Sequence, residues 1–428
     1  MLGTPIVLNQ EFQDILHQLE HTSDSFFITG RAGTGKSTLL DIFRKSTKKK
    51  VIVLAPTGVA ALHVQGQTIH SFFLFPPRFI GSKDIKKMKN HKLVNQLDTL
   101  IIDEISMVRA DLLDAMDQAL KLNRKSAEPF GGLQVIFFGD LFQLPPVVAQ
   151  QEEKNYLNFH YQSHYFFSAH VIKQGLKLQY IELTKVFRQT EKQFIRLLES
   201  IRNASMDESD LEELNTRCKP GFTSSEYITL SARNATADQI NTREMGKLPG
   251  KASIFSAEVT GDIRPSQYPT DLHLPLKVGA RIIFLRNDTE LKYVNGTLGT
   301  IEAIGDDLIK VVVKENGHER RIEVKKSNWD MIRYKAASPG KPIESEVIGS
   351  FAQFPLKLAW AITIHKSQGK SFDQVIIDLG SGAFEHGQAY VALSRCRSFN
   401  GLVLNRPLNM RDLIVDDQVL DFYQLVNL

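Results

Sequence analysis

The chain has 428 residues, of which 42% are hydrophobic and 23% are charged, an ordinary globular composition that is long enough for about two to four domains. Its formal net charge is +4 and its pI is about 8.8, so the composition shows no strongly basic or acidic chain, and any basic surface must be local. The two cysteines, Cys218 and Cys396, are far apart and form no CxxC pattern. This spacing excludes a disulfide framework and a cysteine-rich zinc site, and it fits a reducing compartment.

Short apolar runs alternate with helical stretches in the first third of the chain. Strands are predicted at 25–29, 51–54, 99–103 and 134–138, and helices at 36–44 and 109–122. This alternation is typical of a parallel, doubly wound sheet. The pattern returns with strands at 227–230, 356–359, 374–378 and 401–404 and a polar helix at 236–245, which predicts a second α/β domain.

Two regions interrupt this order. The stretch 73–96 is rich in Pro and Lys and suggests a small insertion from the first domain. Between 249 and 349, runs that alternate or are β-branched (279–285, 297–304, 308–313 and 319–324) are separated by glycine or polar turns, which predicts a small inserted β-barrel. The predicted domains are therefore 1–182, then 183–248 together with 350–428, and 249–349 as the insertion.

The segment 30–37, GRAGTGKS, fits the phosphate-loop pattern GxxxxGK[ST] after a strand and before a helix. Glycines allow backbone N–H groups to close around phosphate oxygens, and the helix N-terminus adds positive potential. Lys36 supplies a point charge for the β- and γ-phosphates, and Ser37 offers a hydroxyl to Mg²⁺. A glycine-rich turn that binds no nucleotide is the alternative, which the strand–loop–helix context disfavours.

Asp103 and Glu104 end the predicted strand at 99–103, on the edge of the sheet where ligands of α/β proteins bind. Asp103 can hold Mg²⁺, and Glu104 can orient and deprotonate an attacking water. An acidic pair at a strand end is by itself more often a helix cap, but the preceding phosphate loop favours the catalytic interpretation.

Three further side chains are candidates for contacts with the γ-phosphate. Gln143 lies in GDLFQLPP after the next strand, a segment that would otherwise be read as an ordinary turn. Phosphoryl transfer also needs cations that neutralise the γ-oxygens, and Arg188 and Arg395 both belong to the second α/β domain. If ATP lies between the two domains, both arginines reach across the cleft, and closure of the cleft depends on the nucleotide.

The ordered set of motifs resembles the superfamily 1 helicases, and among them the petite-integration-frequency (PIF) family, which is related to RecD. The resemblance runs from about residue 8 to residue 404, with Lys370 and Ser371 where the family more often has an apolar residue and Thr. Its motifs here are LNQEFQ from residue 8, GRAGTGKST from 30, APTGVAA from 55, GQTIHSFF from 66, IIDEISMV from 101, PFGG from 129, GDLFQLPPV from 139, VFRQ from 186, WAITIHKSQGKSFD from 360 and GQAYVALSR from 387.

This resemblance implies an α/β fold with two RecA-like domains, a wedge insertion at about 73–96 and an SH3-like barrel at 249–349. It implies ATP and Mg²⁺ as cofactors, Arg188 and Arg395 as interface arginines, Gln143 as γ-phosphate sensor and Gln13 as adenine contact, with Asn9 a weaker adenine candidate. The full set of residues expected around the nucleotide is Asn9, Gln13, Gly30, Ala32, Gly33, Thr34, Gly35, Lys36, Ser37, Thr38, Gln143, Gly369 and Arg395.

Clusters of Thr, His and Ser occur in both halves of the chain, after predicted strand ends. Hydroxyls, backbone N–H groups and a lysine suit phosphate oxygens, and aromatic or imidazole rings can stack on bases. The expected DNA contacts are Thr57, Gly58, His70, Ser71 and Phe72 in the first domain and Thr363, His365, Lys366 and Ser367 in the second. A single His in a helix is more often a structural residue. The repetition of the clusters, together with the resemblance, favours the interpretation as DNA contacts. The basic run consists of Lys83, Lys86, Lys87, Lys89 and Lys92. It either forms a solvated helical face or attracts the displaced DNA strand or the duplex.

The resemblance implies an ATP-dependent 5′→3′ DNA helicase that binds single-stranded and forked or tailed duplex DNA, with G-quadruplexes and RNA–DNA hybrids left open. A nucleotide-switched DNA remodeller and a motor subunit of a recombination complex are the alternatives. The first nine residues have no signal pattern and no apolar run approaches transmembrane length. We therefore expect a monomeric cytoplasmic protein, associated with the nucleoid if bacterial, with no membrane partner.

Overall fold

The computed structural model describes residues 9–76, 78–88, 91–148, 151–224, 226–261, 263–288, 290, 292–315, 318–335 and 344–426. Lys89 of the basic run lies outside these residues, as do residues 336–343 of the predicted insertion. In the described part of the chain, no helix combines the length and the apolar character needed to cross a membrane.

Six parallel strands form the first sheet, in the spatial order β3-β2-β4-β5-β1-β6. They are β1 Ser25–Gly30, β2 Val51–Ala55, β3 Gln67–Thr68, β4 Thr99–Ile102, β5 Gln134–Phe138 and β6 Leu178–Leu183. The central strands β1, β4 and β5 are buried along their whole length because helices cover both faces, which explains their continuous apolar sequences.

The helices and 3₁₀ turns complete the layers. The helices are α1 Gln10–His21, α2 Lys36–Ser46, α3 Gly58–His63, α4 Ile69–Phe73, α5 His91–Gln96, α6 Ala110–Arg124, α7 Gln151–Tyr161, α8 His170–Gln174, α9 Lys192–Arg202, α10 Glu208–Asn215, α11 Asn234–Lys247, α12 Ile364–Ser367, α13 Gln388–Ser394 and α14 Asp417–Leu425. The 3₁₀ turns are Ser82–Asp84, Ile105–Met107, Pro129–Gly132, Phe166–Ser168, Pro265–Gln267 and Met410–Asp412. Among the described residues of the basic stretch at 73–96, the first of these turns and α5 follow the end of α4, and Leu93 and Val94 of α5 are buried.

The remaining strands follow residue 226. They are β7 Ile228–Ser231, β8 Ser253–Ser256, β9 Glu258–Gly261, β10 His273–Leu276, β11 Arg281–Phe284, β12 Leu298–Ile304, β13 Ile309–Glu315, β14 His318–Val324, β15 Ser327–Lys335, β16 Glu344–Gln353, β17 Leu356–Leu358, β18 Ala361–Thr363, β19 Val375–Asp378 and β20 Leu402–Leu404. Four of them form a second parallel sheet in the order β18-β7-β19-β20. The predicted α/β class with two parallel sheets is therefore confirmed.

The insertion between β7 and β18 consists of antiparallel strands. Within the described residues they form a five-stranded sheet β14-β13-β12-β11-β17, a three-stranded sheet β15-β16-β9 and the pair β10-β8, rather than one closed barrel. The alternation that predicted half-buried strands is visible at the end of β14, where Ile322 and Val324 are buried and Glu323 between them is exposed. The SH3-like assignment stays a prediction.

Two boundaries differ from the predicted ones. The run 356–359 was expected in the second parallel sheet, but β17 pairs with β11 of the insertion, and β18 takes the edge of the parallel sheet. Both β16 and β17 extend beyond residue 349, the predicted end of the insertion. The reason is that β17 and β18 lie in one nearly continuous apolar stretch although they belong to different sheets. Hydrophobic periodicity does not show where one strand ends and the next begins.

Candidate active site

The phosphate loop connects β1 to α2, as the sequence predicts. Gly35 has a φ of 90° and lies at the N-cap of α2, a left-handed conformation that favours glycine. Lys36 donates hydrogen bonds from Nζ to the carbonyls of Gly30 and of Arg31, the latter at 3.1 Å. Burial lowers the pKa of Lys36, while the nearby Asp140 and Glu104 carboxylates favour its charged form. The lysine is therefore positioned at the loop by its own backbone carbonyls.

Three successive loop residues are held by elements outside the first sheet. The N–H of Phe187 donates to Gly33 O at 2.8 Å, and a side chain at Gly33 would collide with Arg188. The N–H of Ala32 donates to the Tyr390 hydroxyl of α13 at 3.1 Å. Arg31 forms an ion pair with Glu199 of α9. The loop conformation is consequently tied to the segment after β6 and to the helices beside the second sheet.

The acidic pair follows β4, at the edge of the sheet that carries the phosphate loop. Asp103 is buried, and burial together with the negative charge of Glu104 raises its pKa to about 7. Glu104 adopts a left-handed conformation with φ of 51°, and burial raises its pKa despite the attraction of Lys36 and Arg395. The Gln368 amide donates to Glu104 Oε2 at 3.2 Å. A carboxylate with a raised pKa is a stronger base, which suits activation of water.

The loop after β5 carries the predicted sensor. Gln143 donates from Nε2 to Asp140 Oδ2 at 3.0 Å, and Gln368 Nε2 lies 3.5 Å from Gln143 Oε1. Asp140 is 1% exposed, and Arg202 of α9 places its Nε 3.7 Å from the Asp140 carboxylate while Nη2 pairs with Glu182 at 2.8 Å. The orientation of Gln143 therefore depends on a buried ion pair with α9.

The two predicted arginines lie close to each other, and Arg395 also lies near Glu104. Arg395 is 1% exposed and donates to Val391 O at 3.0 Å. Its pKa is lowered by burial, against the attraction of Tyr390, Glu104 and Asp140. Arg188 donates to a backbone carbonyl at 3.2 Å, and burial and then the charge of Arg395 lower its pKa to about 9. Two mutually repelling guanidinium groups, one of them beside the buried carboxylates of Glu104 and Asp140, form a site suited to a polyanion.

The predicted adenine contacts lie at the start of α1. Asn9 caps this helix, since its side chain accepts the Phe12 N–H at 2.9 Å, and Gln13 is exposed one turn later. A Cβ at Gly35 would lie 3.0 Å from the Phe12 ring, so α1 packs directly on the phosphate loop. Thr34 is buried, Thr38 is exposed, and Gly369 has a φ of 76° with open space beside it. Their roles in binding stay predictions.

Asp103 and Ser37 are the predicted ligands of Mg²⁺, and both supply oxygen, the donor that Mg²⁺ prefers. The raised pKa of Asp103 reflects burial and negative charge that a divalent cation would offset. Ser37 is exposed in the first turn of α2, beside Lys36. The described residues contain no group of three or more His, Cys, Asp or Glu side chains suited to a metal ion. The carboxylate of Asp103 and the hydroxyl of Ser37 fit Mg²⁺, which is usually held by one or two carboxylates, waters and substrate phosphates.

Predicted DNA contacts of the first sheet lie on the loops after β2 and β3. Thr57 caps α3 by accepting a backbone N–H at 3.2 Å, and Gly58 begins that helix. His70 and Ser71 are half-buried on α4, and Ser71 Oγ accepts the Gln67 amide at 3.0 Å. The structure places these side chains at the carboxyl edge of the sheet.

Phe72 does not share this position. It is 6% exposed, and its ring packs 4.9 Å from Phe73 and 6.4 Å from Tyr334. A base cannot stack on a ring enclosed on these sides, so the predicted stacking role for Phe72 does not fit the structure. The short helix α4 turns this side chain towards the core instead.

The predicted DNA contacts of the second sheet also include both accessible and buried side chains. Lys366 is exposed and His365 is half-buried, with its Nε2 3.3 Å from Glu385. Thr363 and Ser367 are buried: the first caps α12 by accepting the Lys366 N–H at 3.4 Å, and the second donates to a backbone carbonyl at 2.7 Å. Phosphate contacts from these two hydroxyls therefore do not fit, and both residues shape the loop that presents His365 and Lys366.

The sequence Thr-Ile-His at 68–70 and 363–365 forms the same local structure twice. Thr68 and Thr363 each end an edge strand, β3 or β18, and each caps a short helix with its hydroxyl. His70 and His365 then lie one residue into α4 and α12. The repeat gives both sheets the same local structure at this edge, and binding of a DNA strand at the two positions stays a prediction.

Four residues of the site were missed as individual contributors: Asp140, Arg202, Gln368 and Tyr390. Three of them lie inside motifs that the sequence already displayed, at 139–147, 360–373 and 387–395. Arg202 has no such signal, because a buried arginine becomes recognisable only through its ion-pair partners.

Comparisons with known proteins agree with this arrangement. The model of the family described as PIF1-like helicase matches residues 7–212. The ATP-dependent DNA helicase Pif1 of Bdellovibrio bacteriovorus is 34% identical over 418 residues, covering 95% of this chain and 89% of the relative. The crystal structure of Bacteroides sp Pif1 in complex with ADP-AlF4 has a TM-score of 0.90 at 38% identity and covers 99% of this chain and 97% of that one. Bacteroides Pif1 bound to ssDNA has a TM-score of 0.71 at 40% identity, covering 98% and 97%.

Proposed function

Because the chain belongs to the PIF1-like helicase family, we propose that it hydrolyses ATP to move 5′→3′ along single-stranded DNA and to unwind the duplex ahead. The observation that carries this proposal is the meeting of two arginines with the phosphate loop and Glu104. Arg188 and Arg395 approach these groups of the first sheet from segments that pack against the second. A site shared in this way changes when the two sheets move relative to each other.

Each residue has a distinct part in hydrolysis. The loop N–H groups and Lys36 hold the phosphates, and Glu104 orients the attacking water and accepts its proton. Arg188 and Arg395 neutralise the charge that develops on the γ-oxygens. Mg²⁺, held by Ser37 and Asp103, would supply further charge neutralisation to the bound phosphates.

Gln368 connects the predicted catalytic carboxylate to the helix that carries predicted DNA contacts. Its amide contacts Glu104 at 3.2 Å and lies 3.5 Å from the oxygen of Gln143. The same residue directly follows α12, which carries His365 and Lys366. A change at the water-activating carboxylate or the sensor therefore reaches the predicted strand-binding helix through one side chain. Repeated closure at the nucleotide would move one strand-binding position relative to the other, which is how hydrolysis becomes translocation.

The deciding experiment is strand separation on duplexes that carry a 5′ or a 3′ single-stranded tail, with and without ATP and Mg²⁺. We expect unwinding from the 5′ tail only, and hydrolysis stimulated by single-stranded DNA. Unwinding from 3′ tails alone would contradict the polarity, and stimulated hydrolysis without any strand separation would indicate a remodeller. A tailed G-quadruplex and a forked duplex in the same assay would define the preferred structure, and the oligomeric state can be measured by light scattering.

Matched variants test the residues. Lys36→Ala and Glu104→Gln should abolish turnover, and the second should retain ATP binding because only the base is lost. Lys45→Ala, on the exposed face of the same helix α2, and Glu128→Gln, an exposed carboxylate, should behave like the unaltered chain. Normal hydrolysis in Lys36→Ala or Glu104→Gln would overturn the assignment of the site.

A further inference from the structure

Helix α7 carries an exposed aromatic surface outside the nucleotide site. Leu157 of this helix is fully buried, whereas Tyr156 and Phe159 are 45% and 84% exposed. Residues three and four apart lie on one helical face, so Tyr156, Phe159 and His160 project together. A phenyl ring left almost entirely in water is costly and indicates a surface that another molecule covers.

These rings continue onto the segment that the sequence predicts as a wedge. Phe79 packs 4.8 Å from Tyr156, Tyr156 lies 4.3 Å from His160, and His160 lies 4.9 Å from Phe159. We call these four residues the aromatic strip. It joins α7 to the chain between α4 and α5.

The strip is continuous with the first strand-binding position. The Arg109 guanidinium lies 4.5 Å over the Phe79 ring and close enough to His70 to act on it electrostatically. The pKa of His70 is lowered by burial first and then by the charge of Arg109. The elements that carry His70, Arg109 and α7 all follow strands of the first sheet at their carboxyl ends. A DNA strand that passes His70 can therefore reach the aromatic strip along the carboxyl edge of the first sheet.

We propose that the aromatic strip binds single-stranded DNA by stacking its bases beyond His70, beside the predicted wedge. The proposal rests on the proposed function, because it extends the same strand path. Arg109 is already engaged by Asp111 at 2.7 Å and lies 3.7 Å from Glu153, so the strip offers stacking rather than a free cation for phosphates. Stacking on aromatic side chains tolerates any base and contributes substantially to single-strand binding.

The test is direct binding of an oligothymidylate that carries one fluorescent adenine analogue, moved stepwise from one end to the other, without nucleotide. In the unaltered chain, stacking on the strip should quench the analogue at positions near one end. Phe159→Ala should abolish that quenching and weaken binding about fivefold or more, with an unchanged salt dependence because no phosphate contact is lost. Phe159→Trp should preserve both signals, and Leu425→Ala, a residue 80% exposed on α14, is the control for loss of an exposed apolar side chain.

Phe159→Leu separates stacking from other uses of the surface. Weakened binding in this variant supports stacking, whereas binding equal to that of Phe159→Trp overturns it. Unchanged DNA binding in Phe159→Ala also overturns the proposal and points to a protein partner instead. These measurements need no hydrolysis, so a chain that binds DNA through the strip but separates no strands would contradict the proposed function alone.

Discussion

The side-chain hydroxyl of Tyr334, in strand β15 of the insertion, contacts the backbone of the first sheet. The Val53 N–H donates to this hydroxyl at 3.2 Å, and the hydroxyl lies 3.4 Å from the Val53 carbonyl. The edge strand β3 begins at Gln67, opposite Leu54, so it starts too late to cover this part of β2. The tyrosine therefore completes the edge of a parallel sheet from a different part of the fold.

Tyr334→Phe removes the hydroxyl and keeps the ring, which packs against Phe72 at 6.4 Å. Val53 is fully buried, so its N–H would lose its partner without gaining access to water unless the contact opens. Leaving a buried amide unsatisfied costs about 1–3 kcal/mol. Local opening at this contact should therefore become about 5- to 150-fold more frequent.

Hydrogen–deuterium exchange measures this opening directly. We expect faster exchange of the Val53 amide by that factor in Tyr334→Phe, with unchanged exchange at the amides of β2 that pair with β4. Tyr293→Phe, which alters a buried tyrosine elsewhere in the insertion, is the control. Unchanged exchange at Val53 would refute the bridging role, and equal acceleration across β2 would show a general loss of stability instead.

Further substitutions test individual charges. Arg395→Ala should lower the turnover of ATP, measured by steady-state hydrolysis at saturating DNA, about 10³-fold. Binding of single-stranded DNA should change little. An effect on KM alone would contradict a role in the transition state. Arg202→Met leaves Asp140 buried without its cation, which should cost about 3–5 kcal/mol and lower the melting temperature, whereas an unchanged melting temperature would show that the pair is dispensable. Burial lowers the pKa of Lys370 to about 8, so its charged form is disfavoured in the folded chain. The free energy of unfolding should therefore rise from pH 8 towards the ordinary lysine pKa of 10.5, and Lys370→Met should flatten this rise in denaturant titrations.

Local patterns were sufficient for the phosphate loop and the acidic pair. Gly30 to Ser37 span the end of β1, the loop after it and the start of α2, and Asp103 and Glu104 directly follow β4, so their positions follow from the strand–loop–helix order. The parallel sheet then brings the two loops to the same edge without further information. The predicted helices and strands around them are accordingly close to the observed ones.

Features that depend on side-chain orientation or on contacts between distant residues could not be predicted from the sequence. Whether Phe72 faces solvent or the core is decided by the phase of a five-residue helix, which is too short for periodicity to reveal. The division of the apolar run near residue 359 between two sheets depends on the position of β11, far along the chain. Arg202 and Tyr390 gained a role only when their partners, Asp140 and the Ala32 N–H, were placed beside them.

The contacts of the phosphate loop explain why a two-sheet site is mechanically useful. Arg31, Ala32 and Gly33 are bound by Glu199, Tyr390 and Phe187, and all three partners come after β6.

A loop that closes around phosphates must adjust its backbone, and this adjustment acts on α9, α13 and the segment between β6 and α9 together. The same α9 carries Arg202, which pairs with Asp140, and Asp140 in turn accepts a hydrogen bond from Gln143, the predicted sensor. The α13 helix is followed by Arg395, which lies near the Glu104 and Asp140 carboxylates. In the proposed mechanism, binding of phosphates, sensing of the γ-position and approach of the arginines would therefore be coupled through α9 and α13, and displacement of either helix would move the predicted DNA-binding loop of the second sheet.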